Sequence, residues 1–223
     1  MTSSTSTSGA DRQDRPLIAV LDYGIGNLRS AQKGLQFVGA DAQLTSDKKL
    51  IADAQAVVLP GVGNFGACMT ALRQAGLEES VHAAVASNRP FLGICVGMQM
   101  LFESSEESPG VKGLEIIKGE IKWLPAGVQR PQMQWNQLRI KKQDDLFAGL
   151  SENPWMYFVH SLSAVATDTS VVAANCEYGT ELVAAVRLKN IFATQFHPEK
   201  SATEGLRILE NFVDTCSAVA TSK

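Results

Sequence analysis

Short apolar runs alternate with amphipathic stretches through the first half of the chain. Strands are predicted by the apolar runs at 17–21, 42–45, 56–59 and 91–94. Helices are predicted by the stretches at 28–38, 65–74, 78–86 and from 95 to about 103. This alternation is typical of an α/β fold in which helices cover both faces of a parallel sheet.

The pattern changes after Gly119, where strand-like segments follow one another with little helix between them. These segments lie at 120–124, 137–140, 156–160, 171–176, 182–188 and 191–196. Lys189-Asn190 predicts a tight turn between the last two, so antiparallel pairing is expected in this half. A final helix is predicted from about Thr203 to Thr215.

Composition limits the class of protein. The 223 residues are 45% hydrophobic with a net charge of −3, which suits one domain, predicted over 16–216, with its own core. Residues 1–15 are rich in Ser and Thr and predict a disordered tail, while 217–223 predict a loose C-terminus. The sequence has no basic stripe, no membrane-length apolar run and no signal-peptide core, so neither a nucleic-acid nor a membrane partner is expected.

The four cysteines fit neither a zinc pattern nor a disulfide framework. We therefore expect reduced thiols and a cytoplasmic location, and no motif requires a metal or another cofactor. Cys68, Cys176 and Cys216 lie in helical or strand patterns and are predicted to be small buried side chains.

Cys95 differs from the other cysteines because it lies at a sharp turn. It stands in Gly93-Ile94-Cys95-Val96-Gly97, between a predicted buried strand and a predicted helix. Flanking glycines permit the strained backbone of a nucleophile elbow. The N-terminus of the following helix favours negative charge and therefore the thiolate. Cys95 is the candidate nucleophile.

Two more glycine-rich loops leave predicted parallel strands, at 22–27 and 60–66. Chemistry gathers at the carboxyl ends of such strands. The first loop lacks the remaining residues of a phosphate-binding loop. Oxyanion donors for acyl transfer are expected from the N–H of Val96 and from the peptide at Val62 or Gly63, although a plain tight turn also fits the second loop.

The candidate base is one of three histidines. His82 lies on a predicted exposed helix face, and His160 ends an apolar strand. His197 follows a strand and precedes Pro198, which prevents the strand from continuing. That loop context favours His197 as the base, with Glu199 holding the imidazole tautomer. The alternative is that His160 is the base and Glu199 belongs to a solvated ion pair.

Two segments, Gly93–Gln99 and Gln195–Glu199, resemble the signatures of the triad-type, class I glutamine amidotransferases. Within that family the chain is more similar still to the glutaminase subunits of imidazole glycerol phosphate synthase, over segments at 22–28, 59–63, 133–136, 157–161 and 197–201. The resemblance implies a flavodoxin-like mixed sheet with an antiparallel C-terminal portion. It also implies hydrolysis of L-glutamine through a Cys95 thioester, with His197 moving the proton and Glu199 completing the triad.

The resemblance also assigns residues around the triad. It implies that Gln99, Glu107, Ser161 and Leu162 hold the substrate glutamine, whose ammonium and carboxylate need an acceptor and backbone donors. A solvated acidic turn is the alternative for Glu107.

A partner is expected because one sheet and its covering helices use nearly the whole chain, which leaves little room for a second site. The resemblance implies a heterodimer with a cyclase of (β/α)8-barrel fold, which receives the ammonia in histidine biosynthesis. The implied docking face consists of Asn27, Met133, Trp135, Asn136, Tyr157 and Lys200. For Trp135, the alternative is a position in the hydrophobic core.

One segment departs from the family's pattern. The usual His-Met-Gly-Trp-Asn reads Gln132–Asn136 here, with Gln134 in place of Gly. The added side chain restricts the backbone and could alter docking, while the triad is unchanged.

Three other functions stay open at this point. The chain could be the glutaminase of pyridoxal phosphate or anthranilate synthesis, a stress or chaperone-like protein with a cysteine elbow, or an inactive scaffolding paralogue. The identity of the partner protein distinguishes the first alternative from imidazole glycerol phosphate synthesis. A requirement for His197 in glutamate release distinguishes a glutaminase from the second alternative. The intact triad argues against the third.

Overall fold

A computed structural model describes residues 15–25 and 28–220, with side chains described up to Cys216. The predicted tail at 1–15, apart from Arg15, and Asn27 of the predicted docking face lie outside the described residues. The helices are α1 (Leu28–Phe37), α2 (Lys48–Asp53), α3 (Phe65–Gln74), α4 (Glu78–Ala86), α5 (Val96–Gln99) and α6 (Ala202–Ala220). The strands are β1 (Leu17–Leu21), β2 (Asp41–Thr45), β3 (Ala56–Gly61), β4 (Phe91–Cys95), β5 (Ser104–Ser105), β6 (Gly119–Trp123), β7 (Gln132–Gln137), β8 (Arg139–Ile140), β9 (Trp155–His160), β10 (Leu162–Ala166), β11 (Val172–Glu177), β12 (Glu181–Leu188) and β13 (Ile191–Thr194).

An eight-stranded sheet in the order β2-β1-β3-β4-β13-β12-β11-β8 forms the centre of the fold. Strands β2, β1, β3, β4 and β13 run parallel, and β12, β11 and β8 continue the sheet with antiparallel pairing. Smaller sheets β10-β6-β5 and β7-β9 lie beside it. The predicted change from parallel to antiparallel pairing along the chain is confirmed.

The parallel strands are buried on both faces, as the continuous apolar runs predict. All residues of β3 and β4 are buried, and α1 contacts α6 while α2 contacts α4. The inward face of α1 carries Leu28, Ala31 and Leu35 at helical spacing. Gly39, at φ +100°, ends that helix, and Ala40 N donates to Leu35 O at 3.0 Å in a Schellman-type cap. None of the helices in the described ranges is long and apolar enough to cross a bilayer.

Strand β13 is fixed beside β4 by a turn that lies next to the start of β4. Lys189 has a φ of +53°, and the predicted turn at Lys189-Asn190 joins β12 to β13. The Asn190 side-chain amide donates to Arg89 O at 2.7 Å, and Phe91 N donates to Asn190 O at 3.0 Å. These bonds align Ile191 with Phe91, so β4 and β13 end at the same edge of the sheet.

The prediction of a helix from Cys95 to about Glu103 is wrong, because α5 ends at Gln99. The carbonyls of Met100, Leu101 and Phe102 instead accept backbone N–H groups from residues 114–117. Because these carbonyls accept bonds from a distant segment, they do not accept the i+4 bonds of a helix. The apolar pattern of the sequence therefore continues beyond the residue at which the helix ends.

Further elements also differ from the sequence prediction. Helix α2 was not predicted, because its six residues bury only Ile51, although Asp47 caps it as a good N-cap residue would. Strands β7 and β10 were also not predicted; β7 is mostly exposed, which weakens a pattern based on burial. Helix α6 runs to Ala220, so four of the residues predicted to be loose at 217–223 are helical and 221–223 lie outside the described part.

Replacement of Gly97 by Ala should strongly destabilise the fold. A Cβ at Gly97 would lie 1.9 Å from the carbonyl oxygen of Leu59 in β3, where neither backbone can move freely. We expect a loss of about 3 kcal/mol or more in the free energy of unfolding, measured by urea titration. Gly110→Ala is the control: it has φ +84° and no atom within 4 Å of the added Cβ, so only about 1 kcal/mol of backbone strain is expected. Equal losses in the two variants would contradict the close approach at Gly97.

Candidate active site

Cys95 lies at the junction of β4 and α5 with a strained backbone. Its φ and ψ are +56° and −114°, a conformation that costs energy for a residue with a Cβ. The neighbouring strand approaches closely, because a Cβ at Gly61 would lie 2.8 Å from Gly97 N. The predicted elbow is therefore present, and packing against β3 holds it in place.

His197 and Glu199 follow the adjacent strand and form a buried pair. His197 Nδ1 lies 2.8 Å from Glu199 Oε1, and their side chains are 2% and 3% exposed. The carboxylate holds a proton on Nδ1, so Nε2 is the nitrogen that gains and loses a proton during a reaction. Glu199 is thus not part of a solvated ion pair. Gly34 in α1 lets the helix pass over this turn, because a Cβ there would lie 3.3 Å from Glu199 Cβ.

The surroundings of His197 favour its protonated form. Burial lowers its pKa, but hydrogen bonding and charge interactions with Cys95 and Glu199 outweigh burial and raise the pKa to about 10. Nε2 is buried without a hydrogen-bond partner of good geometry among the described residues. A positively charged imidazole next to the thiol favours the thiolate and can serve as the proton donor to a leaving amine.

Cys95 and His197 open on one cavity of about 250 Å³. The cavity collects the predicted nucleophile, base, oxyanion and substrate positions, and Glu199 joins them through His197. The sequence had offered His160 only as an alternative base, and it had given no role to Pro131 or Val159, which also line the cavity. The lining consists of Val62, Gly63, Cys95, Val96, Gln99, Glu107, Pro131, Val159, His160, Ser161, Leu162 and His197.

The loop after β3 contributes backbone groups to the cavity. Gly63 has a φ of +89°, which favours glycine. The Val62 carbonyl accepts from the thiol of Cys68 at 3.4 Å, so the Gly63 N–H of the same trans peptide points the opposite way. Glu107 accepts from Phe65 N at 2.8 Å at the N-terminus of α3, where negative charge is stabilised. Glu107 is therefore half-buried and bound to a helix end, which excludes a solvated turn.

His160 also lines the cavity, but its two ring nitrogens are occupied. Nδ1 lies 2.7 Å from Leu162 O, which can only accept, so Nδ1 carries a proton. Burial lowers the pKa of His160 to about 4, so the ring is neutral and Nε2 is an acceptor. The structure places Gln132 Oε1 2.9 Å from Nε2, so a neutral His160 requires the Gln132 amide to be rotated by 180° to present its NH2 group. That orientation also gives a partner to the Gln132 Nε2 that is otherwise unsatisfied.

The ribbon formed by β7 and β9 has one buried and one exposed face. Trp135 pairs with Tyr157 across the ribbon, with ring centroids 6.1 Å apart. Met133, Trp135 and Trp155 are 62%, 44% and 50% exposed, so the core position considered for Trp135 is wrong. Trp155 belongs to this apolar face, although the sequence did not single it out. Gln134, which replaces a usual Gly, is exposed as well.

Of the other two described residues of the predicted docking face, Asn136 lies in β7 and Lys200 lies close to the ribbon. Asn136 is half-buried and its side chain donates to Glu177 O at 2.8 Å, whereas Lys200 is exposed and follows Glu199. His197 N donates to Tyr157 O at 3.0 Å, and Tyr157 N donates to Ser201 Oγ at 2.9 Å. The exposed ribbon is thus hydrogen-bonded to the loop that carries the His197–Glu199 pair.

Comparison with known proteins agrees with this fold and site. The family model "Glutamine amidotransferase class-I" matches residues 20–216, and the chain therefore belongs to the class I glutamine amidotransferases. Two solved structures share the fold: a glutamine amidotransferase (22% identity, TM-score 0.71, covering 89% of this chain and 98% of that chain) and PurLQS from Thermotoga maritima (20% identity, TM-score 0.73, covering 90% and 98%).

More similar relatives carry a particular name. The chain is 48% identical over 202 residues to imidazole glycerol phosphate synthase subunit HisH of Geobacter sulfurreducens, covering 87% of this chain and 97% of the relative. It is 47% identical over 202 residues to the HisH subunit of Methanothermobacter thermautotrophicus, covering 91% and 100%. These matches agree with the resemblance read from the motifs, and not with a stress or chaperone-like protein.

His160 should make the stability of the protein fall in mild acid. Its folded-state pKa of about 4 lies below the ordinary 6.5, so the unfolded chain binds a proton between these pH values that the folded chain does not. This stability is complete above pH 6.5 and is lost as the pH falls toward 4, by up to about 3 kcal/mol. The free energy of unfolding from urea titrations between pH 4.5 and 7.5 should fall less steeply in His160→Asn than in the wild type. Exposed His82→Asn should keep the wild-type slope, and equal slopes in all three proteins would refute the assignment.

Proposed function

We propose that this chain is the glutaminase subunit of imidazole glycerol phosphate synthase, formed by one amidotransferase domain over 16–216 and acting in the cytoplasm. It hydrolyses L-glutamine to glutamate and ammonia, and a cyclase partner consumes the ammonia in histidine biosynthesis. The observation that carries the proposal is the convergence of Cys95 with the buried His197–Glu199 pair in one cavity. The names of relatives at up to 48% identity support the particular synthase, and the free, buried cysteines suit a reducing compartment.

The reaction follows from the positions of the groups. The Cys95 thiolate attacks the side-chain amide carbon, and the N–H groups of Val96 and of Val62 or Gly63 stabilise the oxyanion. His197 gives its proton to the departing nitrogen, so that ammonia leaves and a γ-glutamyl thioester remains. Water, deprotonated by His197, then attacks the thioester carbon and releases glutamate and the thiol. Glu199 holds the imidazole in the required tautomer throughout.

The remaining lining residues suit the ends of the substrate. Gln99 and Glu107 offer acceptors for the substrate ammonium, and the backbone at Ser161 and Leu162 offers donors for its carboxylate. Cys95 and His197 are 4% and 2% exposed, so most of the surface of both reacting side chains is shielded from solvent. None of these steps uses a metal or another cofactor.

We propose the apolar face of the β7–β9 ribbon as the docking face for the cyclase, whose (β/α)8-barrel is the partner that the family resemblance implies. Met133, Trp135, Tyr157 and Trp155 offer aromatic and Met side chains of the kind that dominate interface cores. We also propose Asn27, Asn136 and Lys200 as residues of the docking surface. Hydrogen bonds join the Tyr157 backbone to the loop that carries His197, so a partner bound to this face can influence the position of the triad.

Loss of the nucleophile should separate the two half-reactions. In the complex with the cyclase, Cys95→Ala should abolish glutamine-dependent product formation and leave ammonia-dependent formation intact. His197→Asn should lower glutamate release by about 10³-fold or more. The readouts are glutamate release and cyclase product, each with and without the partner and its nucleotide substrate; release should be low in the isolated chain. Cys216→Ala, a buried thiol in α6, is the matched control. Loss of both half-reactions in Cys95→Ala would argue against separate sites.

Truncation of the docking face should weaken the complex without unfolding the chain. Trp135→Ala should raise the dissociation constant for the cyclase by about 30-fold, as expected for a central aromatic anchor, measured by calorimetry. Phe37→Ala is the control, because Phe37 is 77% exposed but ends α1 at the opposite edge of the sheet. If both variants bind the cyclase as the wild type does, the ribbon is not the docking face.

A further inference from the structure

Gln195 is a buried amide that the mechanism above does not use. It follows β13, two residues before His197, and is 0% exposed. Its backbone N donates to Ala184 O at 2.8 Å, so the main chain is fixed by the neighbouring strand. A buried primary amide has two donors and an acceptor to satisfy, and each unsatisfied group costs stability. The partners of this side chain therefore bear on its role.

The side chain joins the nucleophile to a residue of the cavity. Gln195 Nε2 lies 3.8 Å from Cys95 Sγ, within reach of a hydrogen bond to sulfur. Gln195 Oε1 accepts from Gln99 Nε2 at 3.0 Å, and Gln99 Nε2 also donates to Leu162 O at 3.4 Å. The sequence of contacts runs from a backbone carbonyl through two amides to the sulfur.

The direction of this hydrogen-bond chain is fixed at one end. The Leu162 carbonyl can only accept, so Gln99 must turn its NH2 group toward it and toward Gln195. Gln195 must then meet Gln99 with its oxygen, which leaves its NH2 group facing Cys95. Rotation of the Gln195 amide by 180° would oppose two NH2 groups at one end and place an oxygen against the sulfur at the other.

We propose that Gln195 is a positioning residue that donates a hydrogen bond to the Cys95 thiolate and fixes the orientation of the Gln99 amide. A donor to the sulfur stabilises the thiolate relative to the thiol, in the ground state and again when the thioester is cleaved. Because both N–H groups of Gln99 are engaged, its Oε1 is the atom left to accept from the substrate. The second effect rests on the proposed glutaminase function, whereas the first concerns only the thiol.

The test measures the thiol independently of turnover. The rate at which iodoacetamide alkylates Cys95 is followed against pH by peptide mass spectrometry, in the full-length wild type, Gln195→Met and Gln195→Leu. Loss of the donor should move the midpoint of the alkylation profile up by about one pH unit and lower kcat/KM for glutamate release in the complex by about 10-fold. KM should rise as well, because Gln99 is no longer oriented. Thr194→Val, whose hydroxyl donates to Phe196 O, is the control and should keep the wild-type midpoint.

A merely structural role predicts a different result. It would lower the melting temperature while leaving the alkylation midpoint of the folded variants at the wild-type pH, and that outcome would overturn the proposal. A second measurement needs no substitution at position 195: the side-chain NH2 resonance of Gln195 in the wild type should shift as Cys95 ionises and should not shift in Cys95→Ala. Absence of that shift also overturns it. If the wild-type complex releases no glutamate, the proposed function fails. The alkylation midpoint and the NH2 resonance still test whether Gln195 donates to Cys95.

Discussion

The parallel pairing of β4 with β13 is the constraint on which the site depends. These strands are about a hundred residues apart in the chain, yet Ile94 pairs with Thr194, so the segments that follow them leave the sheet side by side. Cys95 and His197 meet because of this register. The pairing is aligned from the opposite end, where Asn190 bonds to Arg89 and Phe91 bonds to Asn190.

Several polar groups at the cavity are buried and hydrogen-bonded to one another. Desolvation makes each unsatisfied donor or acceptor costly, so partners fix one another's orientation. Glu199 fixes the tautomer of His197, the Leu162 carbonyl fixes Gln99 and His160, and the strained elbow at Cys95 is held by packing against β3. The groups offered to a substrate are therefore those that the fold has left without a partner. The same logic extends to the β7–β9 ribbon, whose backbone bonds to His197.

The sequence predicted the framework well, and its errors have specific physical causes. The ends of α3 and α4 agree with the prediction because amphipathic periodicity and clear stops coincide there. The helix after Cys95 was predicted too long, because its buried residues obey the same pattern whether their carbonyls bond locally or to residues 114–117. Strand β7 was not predicted because most of its side chains are exposed. Gln195 went without a role, although a single amide in the apolar run from Ile191 to Phe196 was a visible signal.

The sequence by itself determined the class of fold and the turn at Cys95, and it favoured His197 over the other two histidines as the base. Those features depend on local patterns, because glycine, proline and apolar spacing act on neighbouring residues. Only the tertiary structure decided that Glu199 is buried, that Glu107 binds the N-terminus of α3, and that both nitrogens of His160 are occupied. Burial and hydrogen-bond partners depend on residues tens of positions away, and the register that brings those residues together is a property of the packed chain.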